Sequence, residues 1–387
     1  MEHFIEKDNQ YIASTYGRFN VELVSGKGAE LCDINGKKYI DMGSGIAVNT
    51  FGAADEDWAR AVSDQLFTLQ HTSNLYYSAP QVKLAELLCQ KSGMKKVFFG
   101  NSGAEANECA IKTARKFYSD NHGGKEGTII TLINGFHGRT VTTLSATGQD
   151  VFHKNFGPFT DGFKFCEANN CEELESLVNQ NTAAVMIELV QGEGGVLALE
   201  QPFVDCIIKL SNKWGFLIIA DEVQTGNGRT GKYFACEHFG LVPDIITTAK
   251  GLGGGLPIGA CLLGKKVEAT LCAGDHGSTF GGNPAVCAGA VSIVERIDEK
   301  LLKEVTEKAG YIKEKLLKTN GVKSVSGLGL MLGIETDKPA KEIAVECIEK
   351  GVLVLTAKTK VRLLPPLNIT YEQLDIALNT LKEVIET

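Results

Sequence analysis

The stretches Val97–Phe99, Thr128–Ile133, Ala184–Val190, Phe216–Ala220, Ile245–Thr248 and Ala260–Leu263 are nearly continuous in apolar residues. A strand with one wet face alternates apolar and polar residues, so runs like these belong to strands covered on both faces. That points to a mostly parallel sheet inside an α/β domain. Between the runs, Gln81–Ser92, Glu105–Asp120, Cys171–Asn179 and Pro202–Trp214 carry apolar residues at helical spacing. No linker, low-complexity tract or internal repeat interrupts the alternation.

The chain ends read differently. From about Ala285 the pattern predicts a long helix that includes Val291–Ile297 and Leu301–Leu317. Short strands follow near Val322–Val325, Met331–Glu335 and Val352–Leu355, then a closing helix Tyr371–Ile385. At the start, Phe19–Val24, Glu30–Asp33 and Lys38–Asp41 look like hairpin strands. A chain of 387 residues holds two or three folding units. The expected organisation is a large domain over 51–284 and a smaller α+β domain built from both ends, 1–50 and 285–387.

Composition narrows the function. Lys+Arg of 39 against Asp+Glu of 47, with no long basic run, argues against binding nucleic acid by neutralising phosphates. No apolar run approaches the roughly 20 residues that span a bilayer. The N-terminus, MEHFIEKDNQ, lacks the apolar core of a signal peptide. The 11 cysteines form no C-x-x-C pair, and Cys109, Cys206 and Cys261 sit in apolar segments, the pattern of reduced thiols in a cytoplasmic protein. His137 and His153 fall in no metal-ligand spacing and read as motif structure or surface.

Chemistry concentrates in three segments. In NSGAEANECAIKTARK, Ser102 and Glu105 form an S-x-x-E capping box, and Gly103 and Ala104 leave the helix N–H groups open to an anion. In FLIIADEVQTGNGRTG an apolar strand ends in Asp221 and Glu222. A carboxylate there can hold a proton on a ring nitrogen, bind a metal or simply turn the chain. In PDIITTAKGLGGGLPIGA, Lys250 lies past another apolar strand, among small residues where an amine is desolvated and becomes a Schiff-base nucleophile. An acid and an amine at successive strand ends, with an anion-ready helix start, are the parts of a pyridoxal phosphate site. Gly327, Gly329 and Gly333 form a G-x-G-x-x-x-G pattern. Gly333–Glu335 continues as a strand rather than opening a helix, which speaks against a dinucleotide fingerprint.

Together with HTSNLYYSAPQVKLAELL, FHGRTVTTLSATGQ, VQGEGGV, GSTFGGNP and RLLPPL, these segments resemble, in this order and over nearly the whole chain, the class III (ω-amino acid) aminotransferases among the fold type I pyridoxal-phosphate enzymes. The resemblance implies that Lys250 carries the cofactor and moves the proton. It implies that Asp221 pairs with the ring nitrogen, Gln224 bonds the ring 3-oxygen, and Val223 and Phe136 cover the two ring faces. Ser102, Gly103 and Ala104 would hold the phosphate. Thr279 would reach the phosphate of the neighbouring subunit, making a homodimer with shared sites.

Two arginines then set the substrate class, because a planar guanidinium matches a carboxylate bidentately. By resemblance Arg139 binds the α-carboxylate of an acetylornithine-like donor and Arg362 that of 2-oxoglutarate. Glu193 pairs with Arg362 in the first half-reaction and releases it in the second. Ornithine-specific relatives carry a tyrosine where this chain has Gly45. The small residue leaves room for an acyl group and favours N2-acetylornithine, with 4-aminobutyrate, ornithine, succinylornithine and a succinylated diaminopimelate precursor as alternative donors. A mutase or decarboxylase on the same scaffold is a further alternative. At Ala53–Trp58 the sequence departs from the family's usual His and Pro turn.

Overall fold

The computed structural model describes residues 4–387. Its central sheet comprises β1 (Lys96–Gly100), β2 (Thr128–Leu132), β3 (Phe163–Cys166), β4 (Thr182–Ile187), β5 (Leu217–Asp221), β6 (Ile245–Thr248) and β7 (Gly259–Leu263), in the order β1-β7-β6-β5-β4-β2-β3. Strand β7 runs antiparallel to both its neighbours, and the other pairings are parallel. Every residue of β4, β5, β6 and β7 is buried, which is the two-sided cover that continuous apolar runs require.

The flanking helices begin and end where local chemistry dictates. Helix Gln201–Trp214 has Pro202 in its first turn, where no N–H partner is lost, and stops at Gly215 with φ 82. It buries Phe203, Val204, Ile207 and Leu210, each side chain contributing about 1.5–3 kcal/mol. Helix Ala79–Ser92 repeats the device with Pro80 and with Gly93 at φ 73.

Both chain ends build two further sheets. Strands Leu23–Lys27, Glu30–Asp33 and Lys38–Asp41 form an antiparallel meander that Val352–Leu353 joins in parallel, with Val352 opposite Ile40. A second sheet orders Val322–Leu328, Met331–Thr336, Lys360–Leu363 and Leu355–Ala357. The fully hidden Arg229 side chain ties this region to the central sheet, donating through Nη1 to the carbonyls of Leu330 (3.1 Å) and Pro365 (2.5 Å).

Several details differ from the sequence reading. The long helix after Ala285 is two, Pro284–Arg296 and Glu299–Leu317, because the Asp298 carboxylate accepts from Leu301 N at 2.8 Å and caps a new helix. The first strand begins at Leu23 rather than Phe19. The run Ala184–Val190 breaks after Ile187, where Glu188 leaves the sheet, and Val190–Gln191 starts a separate hairpin with Leu197–Ala198. Helix Ala340–Glu349 went unread. Among the described residues the cysteines are all free, no helix is long and apolar enough to cross a membrane, and no cluster of His, Cys, Asp or Glu could hold a metal.

Candidate active site

Sheet register brings the chemistry-bearing segments together. Asp221, the last residue of β5, pairs with Thr247 in β6, so the turn carrying Lys250 emerges beside it. Because β7 is antiparallel, its first residue, Gly259, lies opposite Gly100 at the end of β1, and the helix Gly103–Asn121 starts from that edge. Ser102, Gly103, Ala104, Phe136, Asp221, Val223, Gln224 and Lys250 all line one pocket of about 370 Å³.

Helix Gly103–Asn121 opens with half of the expected capping box. Ser102 Oγ accepts from Glu105 N at 3.2 Å, but the Glu105 carboxylate takes the N–H of Asn101 instead of that of Ser102. Small residues make this end accessible. A Cβ on Gly103 would lie 2.7 Å from Val223 Cγ1, and one on Gly259 would lie 2.0 Å from the Ser102 carbonyl oxygen. Only glycine at 259 lets the helix start sit over β7. The helix dipole and its first N–H groups favour an anion there.

Asp221 is 3 % exposed and well held. Its Oδ2 lies 2.8 Å from Asn107 Nδ2 and 2.7 Å from His137 Nδ1, and its Oδ1 accepts from Val223 N at 3.1 Å. Burial disfavours charge on His137. The hydrogen bond it donates to Asp221 and the negative charges of Asp221 and Glu188 outweigh it and hold the imidazole above its ordinary value. Glu188, also in the pocket wall, accepts from Phe136 N at 2.8 Å and Gly192 N at 3.4 Å. Burial, together with the charge of Asp221 and against the pull of His137, pushes its carboxyl up to about 7. Glu222, by contrast, faces away from this chemistry and accepts the N–H groups of Ala235 and Cys236 at 2.9 and 2.8 Å.

Lys250 adopts φ 46, a left-handed conformation costing a non-glycine residue about 1–2 kcal/mol. Strain of this kind persists where surrounding structure over-determines it. Burial lowers the amine's pKa, Arg362 adds to the effect, and Glu193, Asp221 and Glu188 oppose it. A desolvated amine of lowered pKa is the nucleophilic form.

Glu193 and Arg362 meet next to this pocket: Glu193 Oε1 and Arg362 Nη1 are 2.6 Å apart, with side chains 29 % and 4 % exposed. The same Nη1 lies 3.4 Å from Gln224 Oε1. Burial alone would raise the Glu193 carboxyl, but Arg362, Lys250 and Gln224 together hold it below the usual range. Arg139 is exposed and outside the pocket lining, with its guanidinium 4.1 Å over Phe152 and 5.4 Å over Phe136. Gly45 has φ 65 and packs near Val48, which does line the pocket. Thr279 is exposed and is not brought to the pocket of its own chain.

Sequence reasoning missed Asn107, His137 and Glu188. Signals existed: a carboxylate inside an apolar run, and an asparagine among alanines and cysteines on a buried helix face.

A sheet with one reversed strand, a strand-end acid, a strained lysine in the next turn and a glycine-walled helix start define a class of enzyme. The chain belongs to the class-III aminotransferases: the family profile described as "Aminotransferase class-III" matches residues 11–385. Its fold is that of the fold type I enzymes. Acetylornithine aminotransferase of Haemophilus ducreyi is 50% identical over 381 residues, 98% of this chain and 97% of that protein. The Methanocaldococcus jannaschii acetylornithine aminotransferase is 46% identical over 390 residues, 99% of this chain and 98% of that one. Among solved structures, ornithine aminotransferase from Toxoplasma gondii, with PLP at partial occupancy in its active site, superposes with TM-score 0.94 at 31% identity over 99% of this chain and 94% of that one. N-acetylornithine aminotransferase from Stenotrophomonas maltophilia gives 0.84 at 35%, over 98% of each chain.

Proposed function

We propose that the protein is a pyridoxal-phosphate-dependent transaminase that moves the terminal amino group of N2-acetylornithine to 2-oxoglutarate. The products are N-acetylglutamate 5-semialdehyde and glutamate, and in arginine biosynthesis the reaction runs in reverse. The observation that carries this reading is the 2.6 Å contact of Glu193 with Arg362 beside the lysine pocket. A guanidinium held by a carboxylate it can release suits an enzyme whose two substrates alternately lack and present a carboxylate at that spot.

The residues present fit the cofactor: a buried strand-end carboxylate, a desolvated amine and a helix start walled by glycines. When bound, pyridoxal phosphate supplies an electron sink that lets a proton leave the carbon bearing the amine. Lys250 would hold the cofactor between turnovers and, as a desolvated amine, would be the group that carries the proton. Asp221, oriented by His137 and Asn107, would pair with the ring nitrogen. Gln224 would bond the ring 3-oxygen, and Val223 and Phe136 would pack on the ring. Ser102, Gly103 and Ala104 would hold the phosphate. Arg139 takes the donor carboxylate, Arg362 the 2-oxoglutarate carboxylate, and Gly45 leaves space for the acetyl group.

The enzyme is proposed to act in the cytoplasm, with its cysteines free, as a homodimer in which Thr279 completes the partner's phosphate site. Exposed Phe67, Leu75, Tyr77 and Phe280 supply apolar surface for that contact. The proposed division at 1–50, 51–284 and 285–387 rests on the pairing of Lys38–Asp41 with Val352–Leu353.

The test is the visible absorption of purified protein loaded with pyridoxal phosphate. N-acetylornithine should shift the band to the near ultraviolet, ornithine and 4-aminobutyrate far less, and 2-oxoglutarate should restore it. Lys250→Ala should lose the cycle. A stronger response to ornithine or 4-aminobutyrate would overturn the donor, and no return with 2-oxoglutarate would overturn the acceptor.

A further inference from the structure

Gly327, Gly329 and Gly333 serve no dinucleotide, yet each is a place where a side chain would strike a loop from the central sheet. A Cβ on Gly329 would lie 2.4 Å from the Thr230 carbonyl carbon. A Cβ on Gly327 would first strike the Met331 carbonyl oxygen of its own hairpin, at 2.0 Å, and one on Gly333 would also approach Ser326 Oγ, at 3.2 Å, but both glycines share Val196 as a neighbour. A Cβ on Gly327 would lie 2.9 Å from Val196 Cγ1, and one on Gly333 would lie 2.8 Å from Val196 Cβ and 3.2 Å from its Cγ2. Each branch of Val196 is thus seated against one glycine. Val196 is fully buried and has φ 54, a conformation that a β-branched residue rarely adopts. Strain at this point requires a compensating constraint.

Both sides of the contact lead to the switch. Val196 closes the Gly192–Val196 turn between strands Val190–Gln191 and Leu197–Ala198, and that turn carries Glu193. Gly333 is the register partner of Arg362. Antiparallel partners present their side chains on the same face, so the missing side chain of Gly333 leaves the space beside Arg362 that Val196 fills. Ala47, Val190, Met331, Ala357 and Leu364 complete the buried apolar cluster around it.

We propose that Val196 is a positioning residue: locked into the Gly327–Gly333 socket, it holds the Glu193 turn against the Arg362 strand and sets how readily Glu193 yields Arg362 to an incoming carboxylate. The proposal deepens the proposed function and rests on Arg362 being the 2-oxoglutarate site. A loosened turn weakens Glu193 as a competitor for Arg362. The acceptor then binds more easily, while the donor meets an unmasked guanidinium that captures its carboxylate in the wrong place.

The experiment compares KM and kcat for both substrates in wild-type enzyme, Val196→Ala, Gly333→Ala and Val196→Thr. Val196→Ala empties the socket, and Gly333→Ala pushes Val196 out of it. Each should lower the KM for 2-oxoglutarate about threefold or more and lower kcat/KM for N-acetylornithine by a similar factor, the scale expected for coupled neighbours. Val196→Thr keeps both branches and should retain the wild-type ratio even if it melts earlier. Equal changes for both substrates, or no change, in either alanine variant would overturn the proposal. Wild-type enzyme that ignores 2-oxoglutarate would instead overturn the underlying reading of Arg362, and this proposal with it.

Discussion

His137 Nδ1 lies 2.7 Å from Asp221 Oδ2, with both side chains almost wholly withdrawn from solvent, and His137 Nε2 has no hydrogen-bond partner among the described residues. The imidazole therefore serves Asp221 through one nitrogen only. Replacing it with phenylalanine keeps the ring volume and removes the donor. A charge-assisted hydrogen bond is worth about 1.5–3 kcal/mol, so kcat should fall about ten- to hundredfold with a smaller change in KM. Steady-state kinetics of His137→Phe check this, and unaltered kcat would remove His137 from the site.

Glu188 makes stability depend on pH. Its folded value, about 7, lies above the ordinary carboxylate value of roughly 4.3. A raised value means that its favourable contribution is complete below the unfolded pKa and is lost as pH rises through the folded one. Glu188→Gln stays neutral throughout. Its melting temperature relative to wild type should be least favourable below about pH 5, should improve as pH rises toward about 7 and should level off above it. Melting curves of both proteins across that range decide the matter. A constant difference would mean that Glu188 titrates in the ordinary carboxylate range.

Glu193→Gln should separate the two substrates. It leaves Arg362, 4 % exposed, without its counter-charge. Breaking a fully buried pair costs about 3–5 kcal/mol, and the 29 % exposure of Glu193 reduces the expected loss to about 1–3 kcal/mol. The KM for 2-oxoglutarate should fall while kcat/KM for N-acetylornithine drops. A higher KM for 2-oxoglutarate would contradict a competitive role for Glu193.

Gly45→Tyr tests donor choice. At φ 65 a tyrosine carries about 1–2 kcal/mol of backbone strain, so some stability should be lost. The ratio of kcat/KM for N-acetylornithine to that for ornithine should decline by about tenfold or more as the acyl space fills. An unchanged ratio would place acyl recognition elsewhere.

Strands and helices in the middle of the chain were legible because continuous apolar runs and 3.6-residue spacing leave few alternatives. Asp221 and Lys250 were legible because each directly follows such a run. His137 and Asn107 were not, since their meaning appears only when segments 84 and 114 residues from Asp221 in sequence meet its carboxylate. Glu188 was absorbed into an apolar run that the chain breaks at that very residue. The helix break at Asp298 hung on one capping side chain within otherwise unbroken helical spacing.

The meander near the amino terminus finds its fourth strand in Val352–Leu353, and Ser44 Oγ donates to the carbonyl of Leu364 at 2.6 Å. On the ribosome, the first fifty residues emerge long before these partners exist and wait with an open strand edge. The central sheet can condense early, but the wall that bears Arg362 closes only near the end of synthesis. Shortening the chain from its carboxyl end would therefore remove the strand that bears Arg362 while leaving every strand of the central sheet in the chain.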